Sequence, residues 1–241
     1  MKRELGLTLL TMLGFQSCMV DDFSIQLLGV NALTSECKPS VDLTGSLLSK
    51  GTIDLALADD YSIYKEIDYA VDIHEGIIYL QGDIMLGHFF EVIMKSRLIL
   101  SQRTEDSKLE PITIVINSDG GDLYEALGII DYIQSQEVKY NVIARGRAMS
   151  AAALILACGT GVRAASKHTT IMVHELSSSN SGTASDIKTT AVHIEHLDEI
   201  LFDLLGEVTK QPKEYWEKSA RRDFYMNAAK AEELGIIDQI I

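Results

Sequence analysis

Four short runs of β-branched and other apolar residues, separated by helical periodicities, constrain the fold of this chain most strongly. The runs occupy residues 77–80, 112–116, 142–144 and 170–174. Short apolar runs bounded by turn residues are typical of buried strands. Strands that alternate with helices and connect through right-handed crossovers predict an α/β layered domain.

Apolar residues spaced three or four apart predict helices between and after these strands. The predicted helices cover about 84–102, 122–136, 150–159 and 184–208, with one more starting at Pro212 and a last one ending near Gly235. Thr183 and Asp186 have the spacing of a capping box, which marks the start of the long helix.

Residues 1–65 lack this regularity, and we predict that they form a separate N-terminal extension of unknown role beside a domain at 66–241. Residues 1–17 contain two basic residues and an apolar run, as in a weak signal peptide. Glu4 and the poor cleavage pattern before Cys18 argue against secretion. The apolar run is also too short to span a bilayer.

The composition disfavours several classes of function. The 241 residues include 21 basic and 35 acidic ones, a net charge of −14, which disfavours nucleic acid and anionic membranes as partners. The three cysteines are far apart and form no CxxC pair, so neither a disulfide framework nor a structural zinc site is expected. Cys158 lies in an apolar run and is predicted to be a buried free thiol, as suits the cytoplasm.

Two glycines after the second predicted strand could expose backbone N–H groups. Gly120 and Gly121 close the segment 116–121, which reads INSDGG. A glycine leaves its neighbouring amide open to approach, so the amide of Gly121 can face a developing negative charge. The alternative is that the pair forms an ordinary turn.

Ser150 lies between a predicted strand and an alanine-rich helix. This position can expose the hydroxyl and place the amide of Ala151 at a helix N-terminus, where N–H groups lack intrahelical acceptors. The residue types therefore suit a nucleophile beside an oxyanion site. The alternative is that Ser150 serves only as the N-cap of the helix.

His174 ends the fourth predicted strand and is the best-placed base for a serine nucleophile near neutral pH. The alternative is a structural histidine at the edge of the core. His193 and His196 have a spacing seen in metal sites, but no third ligand accompanies them, and we interpret them as a solvated helix face. An acidic partner for His174 could be Asp186 or Asp223, and the pattern alone does not separate the two.

Together these segments resemble the ClpP family, the proteolytic subunits of Clp protease, over about residues 66–241. Five segments carry the resemblance, each given with the family pattern: 116–121 with I-N-S-P-G-G, 146–153 with G-Q-A-A-S-M-G-A, 171–174 with V-M-I-H, 222–225 with R-D-R-F, and 231–238 with A-V-E-Y-G-L-V-D. Spacing supports it: Gly121 to Ser150 is 29 residues, Ser150 to His174 is 24, and His174 to Asp223 is 49.

The resemblance implies a serine endopeptidase with Ser150 as nucleophile, His174 as base and Asp223 as acid. It favours Asp223 because Asp186 matches a helix start in the family pattern. It also implies an oxyanion hole formed by the amides of Gly121 and Ala151, and chemistry that needs no metal or cofactor.

The resemblance further implies a crotonase-like fold, a superhelix of ββα units with an interlocking handle helix at 184–208. Family members stack two heptameric rings around a chamber that receives polypeptide substrates, so a tetradecamer is expected. They also dock an AAA+ unfoldase through aromatic-lined pockets. The matching positions here are Thr113, Val115 and Ala164, which offer little aromatic area, so the resemblance leaves open whether this chain docks an ordinary unfoldase or a different partner.

Three positions near the site depart from the family pattern: Asp119 and Leu176 stand where the family has proline, and Ala151 stands where it has methionine. Such divergence suits a bacteriophage or accessory member. The competing hypotheses are a catalytically weak or structural Clp ring subunit, a bacteriophage head-maturation protease, and an acyl-CoA enzyme with the same fold.

Overall fold

The structure is a computed structural model that describes residues 69–179 and 181–241. The predictions for residues 1–65, including the extension and the signal-like segment, lie outside the described residues. The secondary-structure elements, in chain order, are β1 (Val71–Asp72), β2 (Ile77–Ile84), α1 (His88–Gln102), β3 (Ile112–Gly121), α2 (Leu123–Ser135), β4 (Tyr140–Met149), α3 (Ala151–Ala157), β5 (Arg163–Ala165), β6 (Thr170–Val173), α4 (Ala184–Val208), α5 (Lys213–Ser219), β7 (Phe224–Asn227), α6 (Ala228–Leu234) and β8 (Gln239–Ile240).

The centre of the domain is a mostly parallel sheet in the order β1-β2-β3-β4-β5-β8, in which β1 pairs with β2 in the antiparallel direction. Strand β6 continues parallel pairing on β4, and β7 pairs with β6 in the antiparallel direction. Ile78, Ile114 and Val142, on neighbouring strands, are fully buried. The first five residues of β3 alternate between buried and half-buried positions, so one face of the sheet is buried more completely than the other. The predicted α/β class is confirmed.

Helix α3 lies inside the domain, and all seven of its residues are buried. Four of the seven are alanines, and small side chains allow a helix to pack closely against the strands around it. Ser150 directly precedes this buried helix.

Helices α1 and α2 are joined by a capping interaction. The carboxylate of Glu125, in the first turn of α2, accepts hydrogen bonds from the N–H groups of Gly87 and Phe89. Helix N-termini leave such donors without intrahelical partners. Glu125 thus caps α1 from a neighbouring helix, just behind the end of β3.

The long helix α4 has the bounds that the sequence predicts, and the predicted capping box between Thr183 and Asp186 is present. Its buried residues, Leu197, Leu201, Phe202 and Leu205, all belong to the C-terminal half. In the N-terminal half, Ile187 and Val192 are exposed. None of the helices among the described residues is long and apolar enough to cross a membrane.

Two predicted boundaries are wrong. The helix predicted from residue 84 begins at His88, because Ile84 belongs to β2, where it pairs with Gly121 and is buried. Strand β3 does not end at residue 116 but continues through Gly121, with irregular register on both sides. The alanine-rich helix, predicted to end near Gly159, ends at Ala157.

Candidate active site

Ser150 occupies a sharp strand-to-helix turn. Its backbone has φ 53° and ψ −128°, a conformation that residues with a side chain rarely adopt. The Ser150 N–H donates to the carbonyl of Met172 at 2.8 Å, so the turn is tied to β6. Such backbone strain costs about 1–3 kcal/mol and is found mainly at functional sites.

The hydroxyl of Ser150 makes no capping bond to the helix that follows it. Instead, Ser150 Oγ lies 2.8 Å from Nε2 of His174. The pairing of Met149 with Met172 places the ends of β4 and β6 side by side, which brings the two side chains together across 24 residues of sequence. Both residues are half-buried. The hydroxyl of Ser150 therefore contacts His174 and does not cap α3, in contrast to the N-cap alternative.

The glycine pair at the end of β3 packs against the same turn. Gly120 has φ +97°, and a Cβ placed on it would lie 2.5 Å from the carbonyl oxygen of Met149 and 2.6 Å from Cβ of Ser150. Gly121 has φ +142°, and a Cβ there would lie 2.2 Å from the carbonyl oxygen of Ile84. Any side chain at either position would displace backbone, so close approach requires glycine here.

Gly120→Ala is expected to lose stability and activity together. Positive φ costs a residue with a side chain about 1–3 kcal/mol, and forcing a methyl group into packed surroundings costs about 1–3 kcal/mol more. The new methyl group would push on the turn that holds Ser150, so the peptide hydrolysis that the family resemblance implies should slow at least about tenfold, as expected when reacting groups are slightly displaced. Denaturant unfolding and peptide hydrolysis measure the two effects.

Gly82→Ala is the matched control for this prediction. Gly82 has φ +77°, yet nothing lies within 4 Å of the position of its added Cβ. The control therefore carries the backbone strain without the contact with Ser150. Equal loss of activity in both variants would contradict a steric role for Gly120.

One cavity of about 220 Å³ joins the predicted nucleophile, base and oxyanion amides. Gly121, Ser150, Ala151 and His174 all line it. Ala151 is the first residue of α3, so its N–H has no acceptor within the helix. The remaining lining residues are mostly apolar and come from α2, α4 and the segment after β6: Asp122, Leu123, Tyr124, Leu176, Ser177, Leu197 and Leu201.

Asp223 directly precedes β7, which pairs with β6, so it lies at the same end of this strand pair as His174. The antiparallel pairing of Val173 with Phe224, continued by one residue, places His174 opposite Asp223. Within the described residues, no hydrogen bond joins the two. Asp223 Oδ2 instead accepts a 3.2 Å hydrogen bond from the hydroxyl of Tyr225. The charge of Asp223 is the main cause of the raised pKa of Tyr225.

Asp186, the other candidate acid, lies at the start of α4. Its carboxylate accepts hydrogen bonds from the N–H and the hydroxyl of Thr183, and these bonds lower its pKa. Asp186 is exposed and does not line the cavity. Its contacts are those of a helix cap.

Sequence reasoning missed two polar contacts around the site. Asp119 pairs with Arg147 at 3.0 Å, which links the ends of β3 and β4, although half-exposed pairs contribute little to stability. Asp198 accepts a hydrogen bond from the N–H of Leu176, two residues after His174. The second contact joins residues 22 apart, and no local pattern indicates it.

The histidines and the cysteine predicted to lie outside the site have ordinary surroundings. His193 contacts the hydroxyl of Tyr124 at 2.5 Å, and His196 lies 3.9 Å from Glu199. Cys158 is a buried free thiol, as predicted, and burial raises its pKa to about 12. A thiol with this pKa stays protonated and unreactive near neutral pH.

The site combines a serine hydroxyl on a strained turn, a histidine within hydrogen-bond distance of it, and a half-buried cavity. Serine hydrolases use sites of this kind. The model of the Clp protease family matches residues 62–241. The chain belongs to the Clp protease family, and the predicted resemblance to ClpP is confirmed.

Three curated relatives carry names of the same protease. The chain is 34% identical over 182 residues to ATP-dependent Clp protease proteolytic subunit 2 of Parasynechococcus marenigrum. The aligned residues cover 75% of this chain and 88% of the relative. It is equally similar to proteolytic subunit 1 of Prochlorococcus marinus, with 89% of that relative covered. Proteolytic subunit 1 of Synechococcus sp. matches at 34% identity over 182 residues as well.

Proposed function

We propose that this chain is a serine endopeptidase subunit of the Clp type, which hydrolyses peptide bonds of unfolded proteins or peptides. The observation that carries the proposal is the 2.8 Å approach of Ser150 Oγ to His174 Nε2 at a strained turn. Membership of the Clp protease family supports it. The names of the relatives describe them as proteolytic subunits of an ATP-dependent protease.

In the proposed mechanism, Ser150 Oγ attacks the scissile carbonyl carbon while its proton passes to His174 Nε2. The tetrahedral intermediate carries its negative charge on the former carbonyl oxygen, which the amides of Gly121 and Ala151 stabilise. Each oxyanion donor contributes about 3–4 kcal/mol in comparable sites. The intermediate collapses as His174 donates the proton to the departing amine. Water then hydrolyses the acyl-enzyme by the same steps.

Asp223 is the proposed acid of the triad. A triad carboxylate fixes the tautomer of the histidine and stabilises the imidazolium, and it must contact Nδ1 to do so. The pairing of Val173 with Phe224 supports this choice, because His174 follows Val173 and Asp223 precedes Phe224. Reorientation of one exposed side chain away from Tyr225 would complete the contact. Every step uses groups of the chain, and the proposal includes no metal or cofactor.

We infer that the working assembly is a pair of stacked heptameric rings, as the family resemblance implies. The exposed apolar side chains of Ile187 and Val192 on the N-terminal half of α4 suit a handle that packs against a second copy. The crotonase-like superhelix and the handle role of α4 belong to this proposal. So does an AAA+ unfoldase as partner, although Thr113, Val115 and Ala164 offer it little aromatic area.

A catalytically weak ring subunit is the second candidate, and one observation favours it. Asp223 is engaged by Tyr225 rather than by His174. If this arrangement persists in the assembled protein, catalysis would depend on Ser150 and His174 without their acid. Hydrolysis of fluorogenic peptides by the purified assembly tests both candidates. Turnover well above the rate of a Ser150→Ala preparation supports the peptidase, and equal rates would contradict it.

A further inference from the structure

The carboxylate of Asp198 holds the segment that follows the proposed catalytic base. Asp198 Oδ1 accepts a 2.7 Å hydrogen bond from the backbone N–H of Leu176. Asp198 lies on α4, in the half of the helix that packs on the core, and both residues are half-buried. The bond therefore connects a well-packed helix to the chain two residues beyond His174.

Residues 175–179, the described part of the segment after His174, form no helix or strand. Strand β6 ends at Val173, and Ser177 to Ser179 are exposed. Two backbone N–H groups tie these residues to the rest of the domain: that of Glu175 donates to the carbonyl of Ala220 at 2.7 Å, and that of Leu176 donates to Asp198. The position of His174 therefore depends on a small number of anchors.

Asp198 lies near enough to His174 for their charges to interact, although no hydrogen bond joins the two among the described residues. Burial is the main cause that raises the pKa of Asp198, and the charge of Glu175 acts in the same direction. The N–H of Leu176 and the charge of His174 oppose this shift. A carboxylate already bonded to a backbone donor beside the histidine is suited to hold the chain in place.

We propose that Asp198 is a positioning residue of the peptidase site: its hydrogen bond to Leu176 keeps His174 within reach of Ser150. The inference rests on the proposed peptidase function. Leu176 stands where the family pattern has proline, which has no N–H to donate. The bond is therefore available to this chain because of a departure from that pattern.

Two substitutions of Asp198 separate the hydrogen bond from other roles. Asp198→Asn keeps an oxygen acceptor for the Leu176 N–H, whereas Asp198→Ala removes it. With assembled protein, Asp198→Ala should lower kcat about 10–100-fold, because small misplacement of a catalytic group has effects of this size. KM should change less than about twofold, because a loss confined to the chemical step appears in kcat. Asp198→Asn should stay within about threefold of wild type for the same reason.

Glu199→Ala is the matched control, since Glu199 is the exposed neighbour of Asp198 and its ion pair is a long one, 3.9 Å from His196. It should retain wild-type kcat. The rate at which a fluorophosphonate labels Ser150 gives a second readout that needs no peptide substrate. It should fall in Asp198→Ala and not in Asp198→Asn.

A double-mutant cycle keeps the test informative if Asp198→Ala is unstable. Leu176→Pro removes the donor, so Asp198→Ala should cost clearly less in that background than in wild type. Equal costs in both backgrounds would overturn the proposal, as would wild-type labelling of Asp198→Ala. Equal losses in the Asn and Ala variants would also overturn it, because the charge rather than the hydrogen bond would then matter. Absence of labelling in wild type itself would instead contradict the peptidase function.

Discussion

Ser150→Ala is expected to abolish peptide hydrolysis while leaving folding and assembly intact. The hydroxyl contacts His174 and makes no capping bond, so its removal deletes the proposed nucleophile without removing a helix cap. Loss of a triad nucleophile costs about 10³–10⁶-fold in kcat in comparable hydrolases. Turnover of a fluorogenic peptide, measured beside the mass of the assembly, checks the prediction.

Ser178→Ala is the control for this substitution. Ser178 is exposed in the segment after His174 and does not line the cavity. Its variant should hydrolyse peptide at the wild-type rate. If Ser150→Ala retains wild-type turnover, the assignment of the nucleophile is wrong.

Asp223→Asn should lower kcat about 10²–10⁴-fold, the range expected when a triad carboxylate no longer sets the histidine tautomer. The amide can still accept a hydrogen bond from Tyr225, so the fold around β7 should be kept. The size of the loss reports whether Asp223 leaves Tyr225 and contacts His174 in the working assembly. Peptide turnover at saturating substrate measures it.

Asp186→Asn provides the comparison, because it makes the same change of carboxylate to amide at the other candidate acid. Asp186 caps α4 at an exposed position, so its variant should show a small change in melting temperature and near wild-type kcat. A larger loss of kcat for Asp186→Asn than for Asp223→Asn would show that the wrong acid was chosen.

The sequence predicted the helices and central strands well where their patterns were long. The bounds of α4 follow from its capping box and its apolar periodicity, and α3 follows from its alanines. The two-residue strands β1 and β8 and the three-residue β5 are too short to carry a period. Ile84 fits a helical spacing by chance, and its pairing with Gly121 decides that it is a strand residue.

The site could be predicted in part because its residues lie at strand ends. Ser150 and His174 follow β4 and β6, and parallel pairing of these strands brings the two side chains together. The contact of Tyr225 with Asp223 depends on side-chain orientation, which the pattern does not encode. Asp198 lies in the middle of a helix, and its partner Leu176 becomes apparent only once α4 is packed on the domain.

The proposed peptidase site is tested most directly by treating the assembled wild-type protein with a fluorophosphonate and locating the adduct by mass spectrometry. Assembly should be verified first by a mass measurement and negative-stain imaging. We expect one adduct per chain on Ser150, and none in the Ser150→Ala protein. An assembled protein in which Ser150 stays unmodified would contradict the proposed peptidase site.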